Sequence, residues 1–245
     1  MYGDLSQFKP RLLEKLWLPA LENWGKMLGH SGKGKNLKIL TLTSDRNYQE
    51  IIEFEKKGYT QRKYIIAWTY AHIKKLRLET EISPIKISGT ARYESCVSMP
   101  TFDIRSEFPF DIINLDFCSQ DPIDEKGRIE EEINSVEDTI RLQDANDLTK
   151  FVLLYTTLIN SSSLDRLKVT QQSDKIHVSG WDGLNVSQFP TEISNPTEKT
   201  ECIRVLMPQM GSKYQFDSAT ENLTIPTYEK SKFLIYSIAA LYRRS

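Results

Sequence analysis

The sequence predicts one α/β domain, with a mostly parallel sheet that closes in a C-terminal antiparallel hairpin and with a helical segment before it. Short apolar, β-rich runs alternate with segments of helical periodicity over residues 37–159, which is the pattern of successive βα units with parallel pairing. Two more β-rich runs follow at 218–225 and 232–242, joined by a turn near Pro226. We therefore expect a central sheet covered by helices on both faces.

Composition and charge limit the classes of protein to which the chain belongs. With 245 residues, 39% hydrophobic and 27% charged, the chain is long enough to bury one large core. Lys and Arg (32) nearly balance Asp and Glu (33), so no overall field draws the chain to nucleic acid or an anionic membrane. We find no run of roughly 18 apolar residues and no export signal at the N-terminus. We expect a cytoplasmic protein without a membrane partner.

The first segment of the chain, from about Phe8 to Leu28, is predicted to form one or two amphipathic helices, with a kink or break at Pro19. Its apolar stripe comprises Leu12, Leu13, Leu16, Trp17, Leu21, Trp24 and Leu28. A Gly- and Lys-rich connection follows at 29–35, but it lacks the GxxxxGK[ST] spacing of a phosphate loop and precedes a strand. We divide the chain into a helical segment with its linker (1–36) and the sheet domain (37–245).

The core of the predicted domain is an alternation of strands and helices. Strands are predicted at 37–43, 63–69, 85–89, 110–117 and 151–159, and helices at 47–58, 70–81 and 129–148. Residues 160–200 are polar and predict an insertion or long loop with one short strand at 175–178. A last helix is predicted at 199–210, before the closing hairpin.

Four phrases of the sequence carry a resemblance to a known family. ILTLTSDRNYQEI, YIIAWTYAHIKKLR, FDIINLDFCSQDP and FVLLYTTLIN look like the cofactor loop and the second, fourth and fifth strands of bacterial methyltransferase-like proteins. Together with the layout, they resemble the class I S-adenosylmethionine-dependent methyltransferases over nearly the whole chain. The resemblance implies a Rossmann-like, methyltransferase-type fold and S-adenosylmethionine as the cofactor.

The positions that match the family's cofactor contacts have lost the expected residue types. These positions are Thr43, Ser44, Asp45, Thr69 and Thr90. The loop after the first strand has no glycine, and neither the second nor the third strand ends in the acid that the family uses there. Trp68 is bulky enough to fill the space of a ribose. Ser44 or Asp45 can alternatively cap the helix that follows.

The end of the fourth strand keeps the family's polar-plus-aromatic pattern. By resemblance, Asp116 is the best catalytic candidate, because a carboxylate there can accept a proton or orient a nucleophilic nitrogen, while Phe117 can stack on a planar base. Asn114 is the third candidate, with a hydrogen bond inside the sheet as its other role. The alternative is that Asp116 caps the next loop and Phe117 packs in the core.

Other chemically active residue types form no recognisable site in the sequence. His30, His72 and His177 lack metal-ligand spacing, and Cys96, Cys118 and Cys202 form neither a CxxC pair nor an even set. Cys118 follows the fourth strand without an identifiable histidine partner, so a small buried thiol is the expected role. We expect no metal.

Charged residues suggest where a partner could lie. The helix at 128–147 has an acidic face that we expect to be solvated: Glu130, Glu131, Glu132, Glu137, Asp138, Asp144 and Asp147. Basic residues are predicted near the C-terminal strand ends, where they could hold a phosphate backbone: Lys33, Lys35, Lys56, Lys57, Arg62, Lys63, Lys74, Lys75 and Arg77.

Two functions stay open on the sequence. In the first, the chain is a degenerate, non-catalytic methyltransferase-like subunit of a larger complex, one that could handle nucleic acid, and it binds a protein partner through the N-terminal helix with Trp17 and Trp24. In the second, it is an active S-adenosylmethionine-dependent methyltransferase that acts on nucleic acid or protein.

Overall fold

The computed structural model describes most of the predicted core. The described residues are 8–29, 36–42, 49–69, 86–90, 106–117, 128–160, 163–164, 169–172, 175–178, 195–226 and 234–244. The predicted helix at 70–81 lies outside them.

Nine strands form two sheets in the described part of the chain. In chain order they are β1 (Ile39–Leu42), β2 (Ile65–Thr69), β3 (Lys86–Thr90), β4 (Ile112–Asp116), β5 (Lys150–Ile159), β6 (Val169–Gln172), β7 (Lys175–Val178), β8 (Phe216–Pro226) and β9 (Leu234–Arg244). Seven of them form the main sheet in the order β3-β2-β1-β4-β5-β9-β8, while β6 and β7 pair by themselves. The strand predicted at 175–178 is confirmed as β7, and its antiparallel partner β6 was not predicted.

The main sheet has the predicted mixture of directions. Strands β1 to β5 pair in parallel, and β9 is antiparallel to both β5 and β8. From β1 the chain builds outwards through β2 and β3 on one side and through β4 and β5 on the other, so the order reverses between β1 and β4. The predicted Rossmann-like, methyltransferase-type sheet with a C-terminal antiparallel hairpin is therefore confirmed. We call the C-terminal ends of β1 and β4 the switch point.

Helices cover both faces of the sheet. One face carries α1 (Lys9–Leu12), a π-helical turn (Leu13–Trp17), α2 (Leu18–Trp24) and α3 (Gln49–Lys56), and the other carries α4 (Arg128–Ala145) and α5 (Pro196–Lys213). Because side chains alternate along a strand, Ile39 and Ile112 belong to the first core, while Leu40 and Ile113 belong to the second. No helix in the described part of the chain is both long and apolar enough to cross a membrane.

The N-terminal helix is continuous past Pro19, where a kink or break was predicted. Proline has no N–H and its ring crowds the preceding turn, which usually disrupts a helix. Here the turn before it widens, because the Leu18 N–H bonds to the carbonyl of Leu13, five residues back. Pro19 then falls at the start of α2, where its missing N–H costs little.

Local sequence signals explain where the other helices begin and end. Gly58, the predicted end of the helical segment that contains α3, has a φ of 77°, which favours glycine and stops the helix. Helix α5 begins at Pro196, three residues before the predicted start, because Asn195 and Glu198 form a capping box.

The apolar stripe of the N-terminal helix lies in the core of this same chain. Trp17 is fully buried and Trp24 is 7% exposed, in one cluster with strand residues such as Ile39 and Leu154. This stripe is therefore not a free surface for a partner. The domain division at residues 36 and 37 and the existence of a protein partner stay predictions.

Candidate functional site

The switch point carries a group of polar side chains beneath the N-terminal helix. Thr41 of β1 and Asn114 of β4 are register partners, and Asp116 lies two residues further along β4. Since side chains two apart on a strand share a face, all three point to the face that α1 and α3 cover. All are buried. Sheets of this kind bind ligands at such a position.

Lys9 of α1 reaches into this group and pairs with two carboxylates. Its Nζ lies 2.8 Å from Oε2 of Glu50, which belongs to the first turn of α3, and 3.1 Å from Oδ2 of Asp116. The three side chains are 5%, 0% and 7% exposed, respectively. We call Lys9, Glu50 and Asp116 the buried triad. With both acids ionised it has one net negative charge.

Hydrogen bonds join the buried triad to the sheet. The amide Nδ2 of Asn114 donates to Oγ1 of Thr41 at 3.1 Å, and Oγ1 of Thr41 donates to Oε1 of Glu50 at 3.3 Å. Glu50 is thus held at one oxygen by the sheet and at the other by Lys9. Oδ1 of Asn114 is buried and accepts no hydrogen bond within the described part of the chain.

The charge on Lys9 depends on its two acidic neighbours. Burial by itself lowers the pKa of this ammonium, but Glu50 and Asp116 outweigh burial and raise the pKa above its ordinary value. Lys9 is therefore protonated at neutral pH. A protonated Lys9 is needed to compensate two carboxylates that are removed from water, because an uncompensated buried charge is costly.

A second polar contact anchors the same helical segment. Asp116, Thr156 and Ser237 follow one another in register across β4, β5 and β9. The hydroxyls of Thr156 and Ser237 lie 2.7 Å apart, and Ser237 accepts a hydrogen bond from Nε1 of Trp17 at 3.0 Å. Ser237 also donates to the carbonyl of Tyr155. The N-terminal helix is therefore tied to the sheet at two points, by Lys9 and by Trp17.

Comparison with known proteins finds structural likeness only. No protein-family model and no curated protein matches the sequence. Similar solved structures include M. jannaschii TYW2 in complex with AdoMet, at 10% identity, a TM-score of 0.45, and 96% of this chain and 80% of that chain covered. P. horikoshii TYW2 in complex with MeSAdo has 10% identity, a TM-score of 0.40, and 94% and 65% covered. LepI in complex with SAM has 10% identity, a TM-score of 0.41, and 90% and 46% covered.

Two of the three predicted catalytic residues meet at the switch point. Asp116 and Asn114 share one face, and Asn114 makes the predicted hydrogen bond inside the sheet. Phe117 lies on the other face, where it is 2% exposed and packs edge-on against Tyr155 at 5.9 Å. Phe117 thus packs in the core, as in the alternative interpretation, and its stacking on a substrate base has no support in the described part of the chain.

Only some of the predicted cofactor contacts belong to the described residues. The backbones of Thr69 and Thr90 are register partners at the ends of β2 and β3. Thr43, Ser44 and Asp45 lie outside the described residues, as does the side chain of Trp68. These positions stay predictions.

Lys9, Glu50 and Thr41 were missed as site residues. The signal for Lys9 is its spacing, because it precedes Leu12, Leu13 and Leu16 by three, four and seven residues and so falls on the apolar stripe. Glu50 likewise precedes the buried Phe54 by four residues. A charged residue at a buried helical position indicates a partner inside the protein.

The expectation of a solvated acidic face on α4 is wrong at Glu132. This residue is 4% exposed, and its Oε2 accepts hydrogen bonds from Tyr155 at 3.1 Å and from Thr157 at 2.6 Å. Glu132 precedes the buried Val136 by one helical turn, so it lies on the side of α4 that faces the sheet.

The expected position of the basic residues is also wrong where the structure describes them. Helix α3 ends at Lys56 and β2 begins at Ile65, so the basic residues between them lie at the edge where the parallel strands begin. These residues are Lys56, Lys57, Arg62 and Lys63. The first three pair with Glu53, Glu22 and Glu55, respectively. Lys33, Lys35, Lys74, Lys75 and Arg77 lie outside the described residues.

Metal and thiol chemistry find no support in the described part of the chain. Its His, Cys, Asp and Glu residues form no group of three or more that could hold a metal ion. Cys202 is buried, and burial together with Glu198 and Glu201 raises its pKa to about 12, so the thiol is unreactive at neutral pH. His30, His72, Cys96 and Cys118 lie outside these residues.

Proposed function

We propose that this chain is a methyltransferase-like protein that works as a non-catalytic binding or scaffolding subunit of a larger complex. The observation that carries the proposal is the contact of Lys9 with Asp116 at 3.1 Å, inside a group that is almost completely buried. Asp116, the best catalytic candidate, is thus already paired with the ammonium of Lys9 in the same chain.

Chemistry at Asp116 would need a substrate within hydrogen-bond reach of its carboxylate. Lys9 stands at that distance already, and its removal would leave Glu50 and Asp116 as two adjacent buried charges. Because breaking a buried ion pair costs about 3–5 kcal/mol, a substrate would have to supply at least that much binding free energy to displace Lys9.

The described residues at the switch point provide few of the contacts that S-adenosylmethionine would need. The carboxylates that they offer at the switch point are Glu50 and Asp116, and both are engaged by Lys9. The sequence offers no glycine over 41–47 and no acid at the end of β2 or β3. We therefore assign no reaction step to this cofactor.

The surface that binds the partner is proposed to lie away from the N-terminal stripe. Trp17 and Trp24 are used inside the chain, so a protein partner has to contact other residues. Nucleic acid is a less favoured partner, because three of the basic residues that were expected to hold a phosphate backbone are paired with glutamates.

Titration with S-adenosylmethionine tests the proposal directly. We expect no heat of binding in calorimetry at millimolar cofactor and no rise in melting temperature. A ligand at 100 times its Kd adds about 2.7 kcal/mol of stability, which for a chain of this size raises Tm by roughly 5–11 °C. A rise of that order would count heavily against the non-catalytic function, and methyl transfer from the bound cofactor would overturn it.

The alternative is an active S-adenosylmethionine-dependent methyltransferase acting on nucleic acid or protein. It is favoured by the buried Oδ1 of Asn114, an acceptor without a hydrogen bond in the described part of the chain, at a position where related sheets bind ligands. Transfer of labelled methyl groups to DNA, RNA or protein by the wild type, and its loss in Asp116→Asn, would establish this activity instead.

A further inference from the structure

We propose that Glu50 and Asp116 form a binding site for a primary alkylammonium group, and that the chain fills this site with its own Lys9. The inference deepens the proposed function and rests on it in one respect, namely that the switch point is occupied by the protein itself. It assigns a ligand chemistry to the two carboxylates.

The geometry around Nζ of Lys9 is that of an ammonium site. Two carboxylate oxygens from different elements converge on one nitrogen, at 2.8 and 3.1 Å. An ammonium has three N–H donors and one positive charge, so it can bond to both acids at once and compensate them. Neither carboxylate belongs to the helix that carries the ammonium, since Glu50 lies on α3 and Asp116 on β4.

The acceptor half of the site is held in place without Lys9. Glu50 receives a hydrogen bond from Thr41, which in turn receives one from Asn114, and both of these residues lie on central strands. Asp116 ends β4, which pairs on both sides. Oδ1 of Asn114 is buried and accepts no hydrogen bond in the described part of the chain. We therefore expect the two carboxylates to keep their positions when the ammonium is removed.

Lys9 lies in the first turn of the N-terminal helix. Helix α1 has four residues and is joined to α2 through the π-helical turn at Leu13–Trp17. Lys9 acts as a tethered ligand, whose effective concentration excludes competing amines from the wild type. Truncation of Lys9 to alanine removes three methylenes and the ammonium, and n-propylammonium replaces those same atoms.

The experiment is rescue of Lys9→Ala by n-propylammonium at neutral pH, followed as Tm. We expect Lys9→Ala to melt roughly 10 °C below the wild type. At about ten times its Kd, n-propylammonium should raise the Tm of this variant by roughly 3–6 °C. Tetramethylammonium at the same ionic strength has the charge but no N–H donor, and propanol has no charge, so neither should reproduce the rise.

Two matched controls define specificity. The wild type should gain nothing from n-propylammonium beyond the effect of tetramethylammonium, because its site is filled. Lys15→Ala removes a lysine of the same helical segment whose partner Glu14 is exposed, and it should likewise gain nothing. Equal gains in Lys9→Ala and in either control, or equal gains from both ammonium salts, would overturn the proposal.

A second variant covers the case in which Lys9→Ala does not fold. Lys9→Ala/Glu50→Gln keeps one carboxylate in place of two, so the repulsion between neighbouring buried charges is gone. Its Tm should still rise with n-propylammonium through Asp116, and no rise in this variant would refute the ammonium site. Binding of S-adenosylmethionine to the wild type tests the proposed function separately, since either result can occur without the other.

Discussion

Replacing Lys9 by methionine removes one charge from the buried triad while keeping most of the side-chain length. Glu50 and Asp116 are then left buried without their shared cation. Loss of one partner from a buried ion pair costs about 3–5 kcal/mol. At roughly 2–4 °C per kcal/mol for a chain of this size, Lys9→Met should lower Tm by about 6–20 °C.

Neutralising the two acids as well should restore most of this loss. In Lys9→Met/Glu50→Gln/Asp116→Asn no charge of the triad remains, and the amide that replaces the Glu50 carboxylate can still accept the hydrogen bond from Thr41. Buried ionic groups that are replaced together by uncharged ones of similar volume often leave stability unchanged or improved. We expect the triple variant to lie within about 1 kcal/mol of the wild type.

Urea unfolding followed by circular dichroism measures both differences. Because the pKa of Lys9 is raised in the folded state, its contribution is complete below the unfolded pKa of about 10.4 and is lost only as pH rises through the higher folded value. The contribution of the Lys9 charge itself should therefore be the same at about pH 7 and about pH 9. Lys15→Met is the matched control, since Lys15 and Glu14 are 58% and 71% exposed, and it should cost at most about 0.5 kcal/mol.

Two outcomes would contradict this reasoning. If Lys9→Met costs no more than Lys15→Met, Lys9 is not part of a buried ionic group, and Asp116 is not engaged as the proposed function requires. If the triple variant is as unstable as the single one, the loss comes from packing around the lysine stem rather than from uncompensated charge.

Three further changes test other contacts of the fold. Trp17→Phe removes the donor to Ser237 and should cost about 2 kcal/mol in urea unfolding, with part of that cost absent in the Ser237→Ala background if the hydrogen bond is the cause. Gly211→Ala places a Cβ 2.5 Å from Cε1 of Tyr242, whose hydroxyl is tied to a helix carbonyl, so we expect a loss of about 1–3 kcal/mol by thermal melting. Burial and Glu22 raise the pKa of Tyr59 to about 12. The stabilising contribution of its neutral hydroxyl is therefore complete below about pH 10 and is lost as pH rises towards 12. Tyr59→Phe should remove this part of the pH dependence of urea unfolding at alkaline pH.

The strands of the sheet could be predicted because their residue types are compatible with few other secondary structures. The run 110–117 contains β4, and 151–159 differs from β5 by one residue, since continuous apolar, β-branched runs fit only a sheet buried on both faces. The pairing of β6 with β7 could not be predicted, because Val169–Gln172 has one apolar residue and no alternation. The position of β9 between β5 and β8 in the sheet likewise cannot be predicted from the order of the strands along the chain.

The strand residues of the candidate site were predictable as site residues, whereas the helix residues were predictable only as buried charges whose partners the sequence does not name. Asp116 and Asn114 stand out as polar residues near the end of an apolar strand. Phe117 was grouped with them by sequence position, although the period of two along a strand turns it to the opposite face. Lys9 and Glu50 are spaced as buried helical residues, but this spacing does not indicate that they pair with each other or with Asp116.

The two possible functions differ most sharply in what they require of α1. An active methyltransferase would need Lys9 to leave Asp116, while Trp17 keeps the rest of the helical segment bonded to Ser237. Opening would then be confined to the residues before the π-helical turn, and Lys9→Met, which lacks the ion pair, should transfer methyl groups faster than the wild type. A non-catalytic subunit gives no transfer in either protein. Labelled methyl transfer by the wild type and Lys9→Met, measured below the Tm of the variant, therefore separates the two functions. Faster transfer by Lys9→Met indicates an enzyme that α1 inhibits, and no transfer by either protein indicates that the switch point serves only to hold α1.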